Sequence, residues 1–144
     1  MWEPQRVDQR LSFITLAVAE LAASRRFYLD SLGWEPCVDV PGEVLMFQVA
    51  DKVVLSLWDE EAFAAEVGAR PARGAVPPVT LAHNCATRDG VDRVLEQARN
   101  AGADPVVAAQ EREWGGYSGY FADPDGFRWE VAFNPGDVGQ LVLP

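Results

Sequence analysis

At 144 residues, with 49% hydrophobic and 24% charged side chains, the chain has the length and composition of a single globular domain rather than a disordered segment. Asp and Glu number 22 against 12 Lys and Arg, a formal net charge of -10 that repels nucleic acid and suits a neutral or cationic small molecule. One histidine, His83, cannot furnish a site built on several imidazoles, and no apolar run approaches the roughly 20 residues of a membrane helix.

Residues 1–10 read as an N-terminal arm without the apolar core of a signal peptide, so the expected compartment is the cytoplasm. Cys37 and Cys85 lack CxxC spacing and are expected to be small buried apolar residues in a reducing environment. The run from Leu11 to Val18, LSFITLAV, alternates with apolar residues on both faces and predicts a strand. A helix is expected from Leu21 to Leu32, stopped by Gly33, with Leu21, Tyr28 and Leu32 on one stripe. Three short strands follow, around Glu35–Val40, Val44–Val49 and Val53–Trp58, with Pro41-Gly42 and Ala50-Asp51 as turns. Asp59 is a suitable N-cap for one or two helical turns ending near Val67.

Residues 68–78, GARPARGAVPP, have no periodicity and read as a linker. The order then starts again. Val79–Cys85 reads as a strand, Asp89–Ala101 as a helix stopped by Gly102, and Pro105–Ala109, Tyr117–Asp123 and Phe127–Phe133 as strands. Asp123-Pro124-Asp125-Gly126 is expected to serve only as a turn. The chain is thus two βαβββ modules, residues 11–67 and 79–135, followed by a tail, residues 136–144. Neither module is large enough to bury a good core alone.

This α+β tandem resembles the vicinal oxygen chelate superfamily, which holds glyoxalases, extradiol dioxygenases and bleomycin-type resistance proteins. The resemblance rests on Ile14-Thr15-Leu16-Ala17-Val18, Ser24–Tyr28 and Leu32-Gly33-Trp34 in the first half. In the second it rests on Ala101-Gly102 and on Tyr120–Gly126 leading into Trp129-Glu130-Val131. It implies a curved eight-stranded mixed sheet with ligands in its concavity. Metal-using members draw ligands from four positions, which here hold Phe13, Ser56, Thr80 and Glu130. Only Glu130 is a ligand type, so the resemblance implies neither metal nor cofactor.

Strand parity places Phe13, Thr15, Ser56 and Trp58 of the first module toward the cavity. From the second come Thr80, Asn84, Ser118, Tyr120 and Glu130, while His83 falls on the helix-packed face as a core residue. Trp114-Gly115-Gly116-Tyr117 could close the cavity mouth with Trp114 and Tyr117, or only plug the barrel edge. Glu130 can anchor a ligand amine, act as a general base, or serve structurally beside Arg128 or the Ser56 and Thr80 hydroxyls. The expected activity is metal-free binding, even sequestration, of an aromatic or cationic compound such as an antibiotic. The alternative is a lyase, isomerase or dioxygenase working through Glu130. A homodimer is expected, with Trp2, Leu141 and Val142 as apolar hooks.

Overall fold

A computed structural model describes residues 6–144; Trp2 lies outside the described residues. The first module contributes β1 (Phe13–Val18), β2 (Val38–Val40), β3 (Val44–Ala50) and β4 (Val53–Asp59). The second contributes β5 (Thr80–Asn84), β6 (Val106–Glu111), β7 (Tyr117–Ala122) and β8 (Arg128–Phe133). Each forms a four-stranded mixed sheet, ordered β1-β4-β3-β2 and β5-β8-β7-β6. Within each, the module's first strand pairs parallel with its last and the others pair antiparallel.

The crossover of the first module begins as α1 (Leu21–Ser24) and widens into a π-helix over Arg25–Ser31. In that winding the Leu32 amide donates to the Phe27 carbonyl five residues back, at 2.9 Å. The apolar stripe foresaw the helix but not the wider winding, which leaves the consecutive Phe27 and Tyr28 both buried. Between the modules, α2 (Glu60–Val67) is capped by Asp59, whose carboxylate accepts from the Glu61 and Ala62 amides. In the second module α3 (Arg88–Asn100) is capped by Thr87 and packs across β6, β7 and β8. The tail contains a short helix not foreseen from sequence, α4 (Asp137–Leu141). Among the described residues no helix is long and apolar enough to cross a membrane.

Both sheets turn one face to a single shared core. Leu16, Val18, Leu45, Phe47, Leu55 and Leu57 come from the first sheet, and Leu81, Phe121, Trp129 and Val131 from the second. The modules meet through aromatic contact: Phe27 lies 6.1 Å from Phe121, Tyr28 6.4 Å from Trp129, and Trp34 5.8 Å from Trp129 (ring centroids). Such rings bury large apolar areas, which is how two small modules make one adequate core.

The Asp-Pro-Asp-Gly segment does more than turn the chain. Asp123 Oδ1 accepts from the Asp125 and Phe127 amides at 3.0 and 2.9 Å, and its Oδ2 accepts from the Tyr28 hydroxyl at 2.7 Å. That hydroxyl in turn accepts from Trp129 Nε1 at 3.0 Å. Asp125 Oδ1 takes the Ala19 amide at 2.7 Å, at the end of β1. A turn in one module therefore clasps the end of β1 and the π-helix of the other.

Cys37 is exposed and Cys85 half-buried, against the expectation that both are buried. Cys37 precedes the short edge strand β2, where no further strand covers it. The acidic start of α2 is paired with the linker: Arg70 grips Glu61 with two hydrogen bonds, and Arg73 pairs with Glu60.

Candidate functional site

The face of the second sheet turned away from the core carries Glu130. Register sets Ala82, Glu130 and Tyr120 in one row across β5, β8 and β7, with Asn84, Ala132 and Ser118 in the next. The Tyr120 hydroxyl donates to Glu130 Oε2 at 3.0 Å. Burial, and then this bond, raise the Tyr120 pKa. Arg128 donates to the Gly126 carbonyl, so in the structural alternative for Glu130 the partner is Tyr120 and not Arg128. Among the described residues no hydrogen bond reaches Glu130 Oε1.

A cavity of about 380 Å³ opens beside this carboxylate, lined by Asn84, Trp114, Glu130, Ala132 and Asn134 and by Val138, Gly139 and Val142 of the tail. Two features shape it. The Trp114 ring lies back on Gly116, where a β-carbon would occupy the ring's own space, and Gly115 at φ 94° allows the reversal. The tail reaches the cavity because Gly139 lies directly on the Asn134 backbone, leaving no room for a side chain. Trp114 is 53% exposed and borders the cavity rather than sealing it.

Arg112, missed from the sequence, also belongs to this face. Its Nε donates to Ser118 Oγ at 3.0 Å, its Nη2 donates to the Ser118 carbonyl at 2.9 Å, and its guanidinium lies 6.0 Å from the Tyr120 ring centre. The β6–β7 hairpin pairing was the signal that could have found it. Ser118 itself is buried and committed to Arg112. Tyr117 is on the other side of the sheet, where its hydroxyl donates to Asp92 of α3 at 2.7 Å. One residue of separation in a strand decides that: Tyr117 shares parity with Phe121, not with Tyr120.

In the first sheet, register aligns Phe13 with Val54, Thr15 with Ser56, and Ala17 with Trp58 on the face away from the core. Phe13 is 52% exposed, Ser56 is buried, and Trp58 packs edge-on against Phe63 of α2 at 6.3 Å. None of Phe13, Thr15, Ser56 and Trp58 lines the cavity beside Glu130. Thr80 lines a different groove. A single chain thus gathers Asn84, Trp114 and Glu130 around one cavity and leaves the first-module residues on a separate surface.

The four positions that would hold a metal do not fit one. Phe13 has no donor atom, and Ser56 and Thr80 are neutral hydroxyls. Among the described residues no group of three or more His, Cys, Asp or Glu is placed to hold an ion. His83 has the predicted parity, pairing with Val131, but is exposed instead of buried. It lies on β5, at the free edge of its sheet, while α3 packs over β6, β7 and β8. A further cavity, about 640 Å³, is also on this core-facing side and is lined by neither Glu130 nor Trp114.

A family model for the Glyoxalase/Bleomycin resistance protein/Dioxygenase superfamily matches residues 10–131. Among solved structures, a glyoxalase-related enzyme from Fulvimarina pelagi is 36% identical, with 88% of this chain and 89% of that one aligned at a TM-score of 0.79. A lactoylglutathione lyase from Agrobacterium tumefaciens is 25% identical over 89% and 96% of the two chains, at 0.68. A glyoxalase/bleomycin resistance protein/dioxygenase from Nocardioides, 23% identical over 92% and 91% at 0.75, shares the fold. No curated protein matches the sequence.

Proposed function

Because the chain belongs to the glyoxalase/bleomycin resistance protein/dioxygenase superfamily, we propose that it is a small-molecule-binding protein that works without a metal. Its ligand is an aromatic compound carrying an amine or other strong donor. The observation that carries this reading is the Glu130 carboxylate, held by Tyr120 through one oxygen and open at the other, in a cavity bordered by Trp114. The indole supplies a face for stacking, Asn84 supplies an amide, and Glu130 Oε1 is the acceptor for the ligand's donor. Sequestration of a toxic compound such as an antibiotic is the biological role that suits a binder of this chemistry.

A second copy of the chain belongs to the proposal. Phe13 on one face and Trp114, Val138, Leu141 and Val142 on another are exposed large apolar residues. A homodimer that sets the first sheet of one protomer over the Glu130 cavity of its partner would cover both and add Phe13 and Thr15 to the site.

One observation favours an enzyme as the second reading. The Fulvimarina pelagi protein, described as a glyoxalase-related enzyme, is similar over most of the chain. There Glu130 would be a general base and Tyr120 a donor to developing negative charge.

The test is a tryptophan-fluorescence screen of aromatic amines beside their uncharged analogues. A bound amine should lose at least about tenfold in affinity in Glu130→Gln, the worth of one charge-assisted hydrogen bond. Trp114→Ala should weaken the same ligand. Equal binding by both variants overturns the reading. Turnover abolished by Glu130→Gln at unchanged affinity establishes the enzyme instead.

A further inference from the structure

The groove on the core-facing side is built differently from the Glu130 cavity. Among the described residues β1 pairs only with β4, and β5 only with β8, so each leaves one edge unpaired. Ile14 and Leu55 of the first sheet and Leu81 of the second line the resulting groove, with Trp34, Phe47 and Trp129 as its aromatic walls. Its volume, about 640 Å³, is within the range of small-molecule sites. It also continues inward. A smaller cavity of about 90 Å³, beneath α3, shares Trp34, His83 and Trp129 with it. The lining residues with polar side chains are few: Glu35, Gln48, Thr80 and His83, of which His83 shares the core-facing parity of Leu81.

We propose that this groove is a second small-molecule site, taking a neutral, elongated aromatic compound with a hydroxyl or amide near His83. Trp34 and Trp129 stand edge to face, with ring planes 85° apart. Trp129 is largely buried and stacked on Phe121, so the half-buried Trp34 is the ring with surface left for an aromatic ligand. The inward extension favours an elongated shape. Charge selects against anions, since Glu35 lies in the wall and the chain carries a net charge of -10. His83, which can both donate and accept, is the group that orients a neutral polar substituent. The inference does not depend on the reading of the Glu130 cavity, with which the groove shares no residue.

The chain's composition makes the test specific. Ile14 is its one isoleucine and His83 its one histidine, and both line the groove. In full-length protein labelled at isoleucine methyls and histidine rings, each gives a single assigned NMR signal. Titration with N-phenyl-1-naphthylamine, a neutral fluorescent probe, should shift both signals saturably as probe emission rises. The anionic probe 1-anilinonaphthalene-8-sulfonate should bind at least about tenfold more weakly. His83→Trp, which fills the groove from an exposed position, should reduce affinity for the neutral probe by a similar factor. Probe binding that leaves both signals unmoved places it elsewhere and overturns the proposal. So does equal or tighter binding of the anion, or unchanged affinity in a folded His83→Trp. If the two signals respond to protein dilution and not to probe, the groove is an interface between chains, and the proposal is again overturned.

Discussion

The Asp123 carboxylate, almost wholly buried, accepts two backbone amides and the Tyr28 hydroxyl, and no cation is among these partners. Burial pushes its pKa up to about 6, although the hydrogen bonds pull the other way. A carboxyl whose pKa is higher in the folded chain than in the unfolded one favours folding in its protonated form. Its contribution is complete below about pH 4 and is lost as pH rises through about 6. The protein should therefore gain on the order of 1 kcal/mol from this group between pH 7.5 and 5. Asp123→Asn, which keeps an acceptor oxygen, should remove that gain, as read by urea unfolding at the two pH values. Tyr28→Phe deletes the hydroxyl that donates to Asp123 and accepts from Trp129, and should cost on the order of 3 kcal/mol in the same assay. Gly119→Ala should be at least as damaging, because its β-carbon would lie 2.5 Å from the Val107 carbonyl oxygen and 2.6 Å from Leu95 Cδ1.

Among the elements, α2 shows how local and tertiary forces combine. No residue of it is buried, so its apolar contact is modest, and its start depends on the Asp59 cap. Asp59→Ala should cost about 1 kcal/mol in the thermal unfolding of the whole protein. The Arg70–Glu61 pair is solvent-exposed, and Arg70→Ala should leave the thermal midpoint essentially unchanged. The Arg73 guanidinium is placed differently, between Glu60 and the largely buried Asp125, 3.6 Å from its Oδ1. The linker is thereby drawn back onto the Asp-Pro-Asp-Gly segment. The sequence pattern identified it as a break between modules, but no periodicity records which distant carboxylates an arginine will reach.

For the molecule as a whole, the modules share one core and one hydrogen-bonded clasp, so they should not unfold separately. Far-UV circular dichroism and tryptophan emission should report one coincident transition in urea. Two separated transitions would mean that the Phe27–Phe121 and Tyr28–Trp129 contacts contribute little to cooperativity. The same packing distributes the candidate binding residues. By joining the modules through their core faces, it leaves Phe13 and Thr15 apart from Glu130 and opens a groove between the unpaired edges of β1 and β5.

The sequence by itself determined the repeated βαβββ order, the caps and turns, and which strand residues share a face. These follow from local periodicity, because alternation along a strand and the stops at Gly33 and Gly102 need no knowledge of distant residues. The same alternation set Asn84 and Glu130 on one face of the second sheet. The tertiary structure decided what lies across a face or between modules. Tyr120 rather than Arg128 holds Glu130, Arg112 joins that face, the tail helix walls the cavity, and His83 is exposed on the edge strand β5. Each depends on distances between segments far apart in the chain. Those distances are set by the packing of the two modules and are not encoded in the periodicity of either.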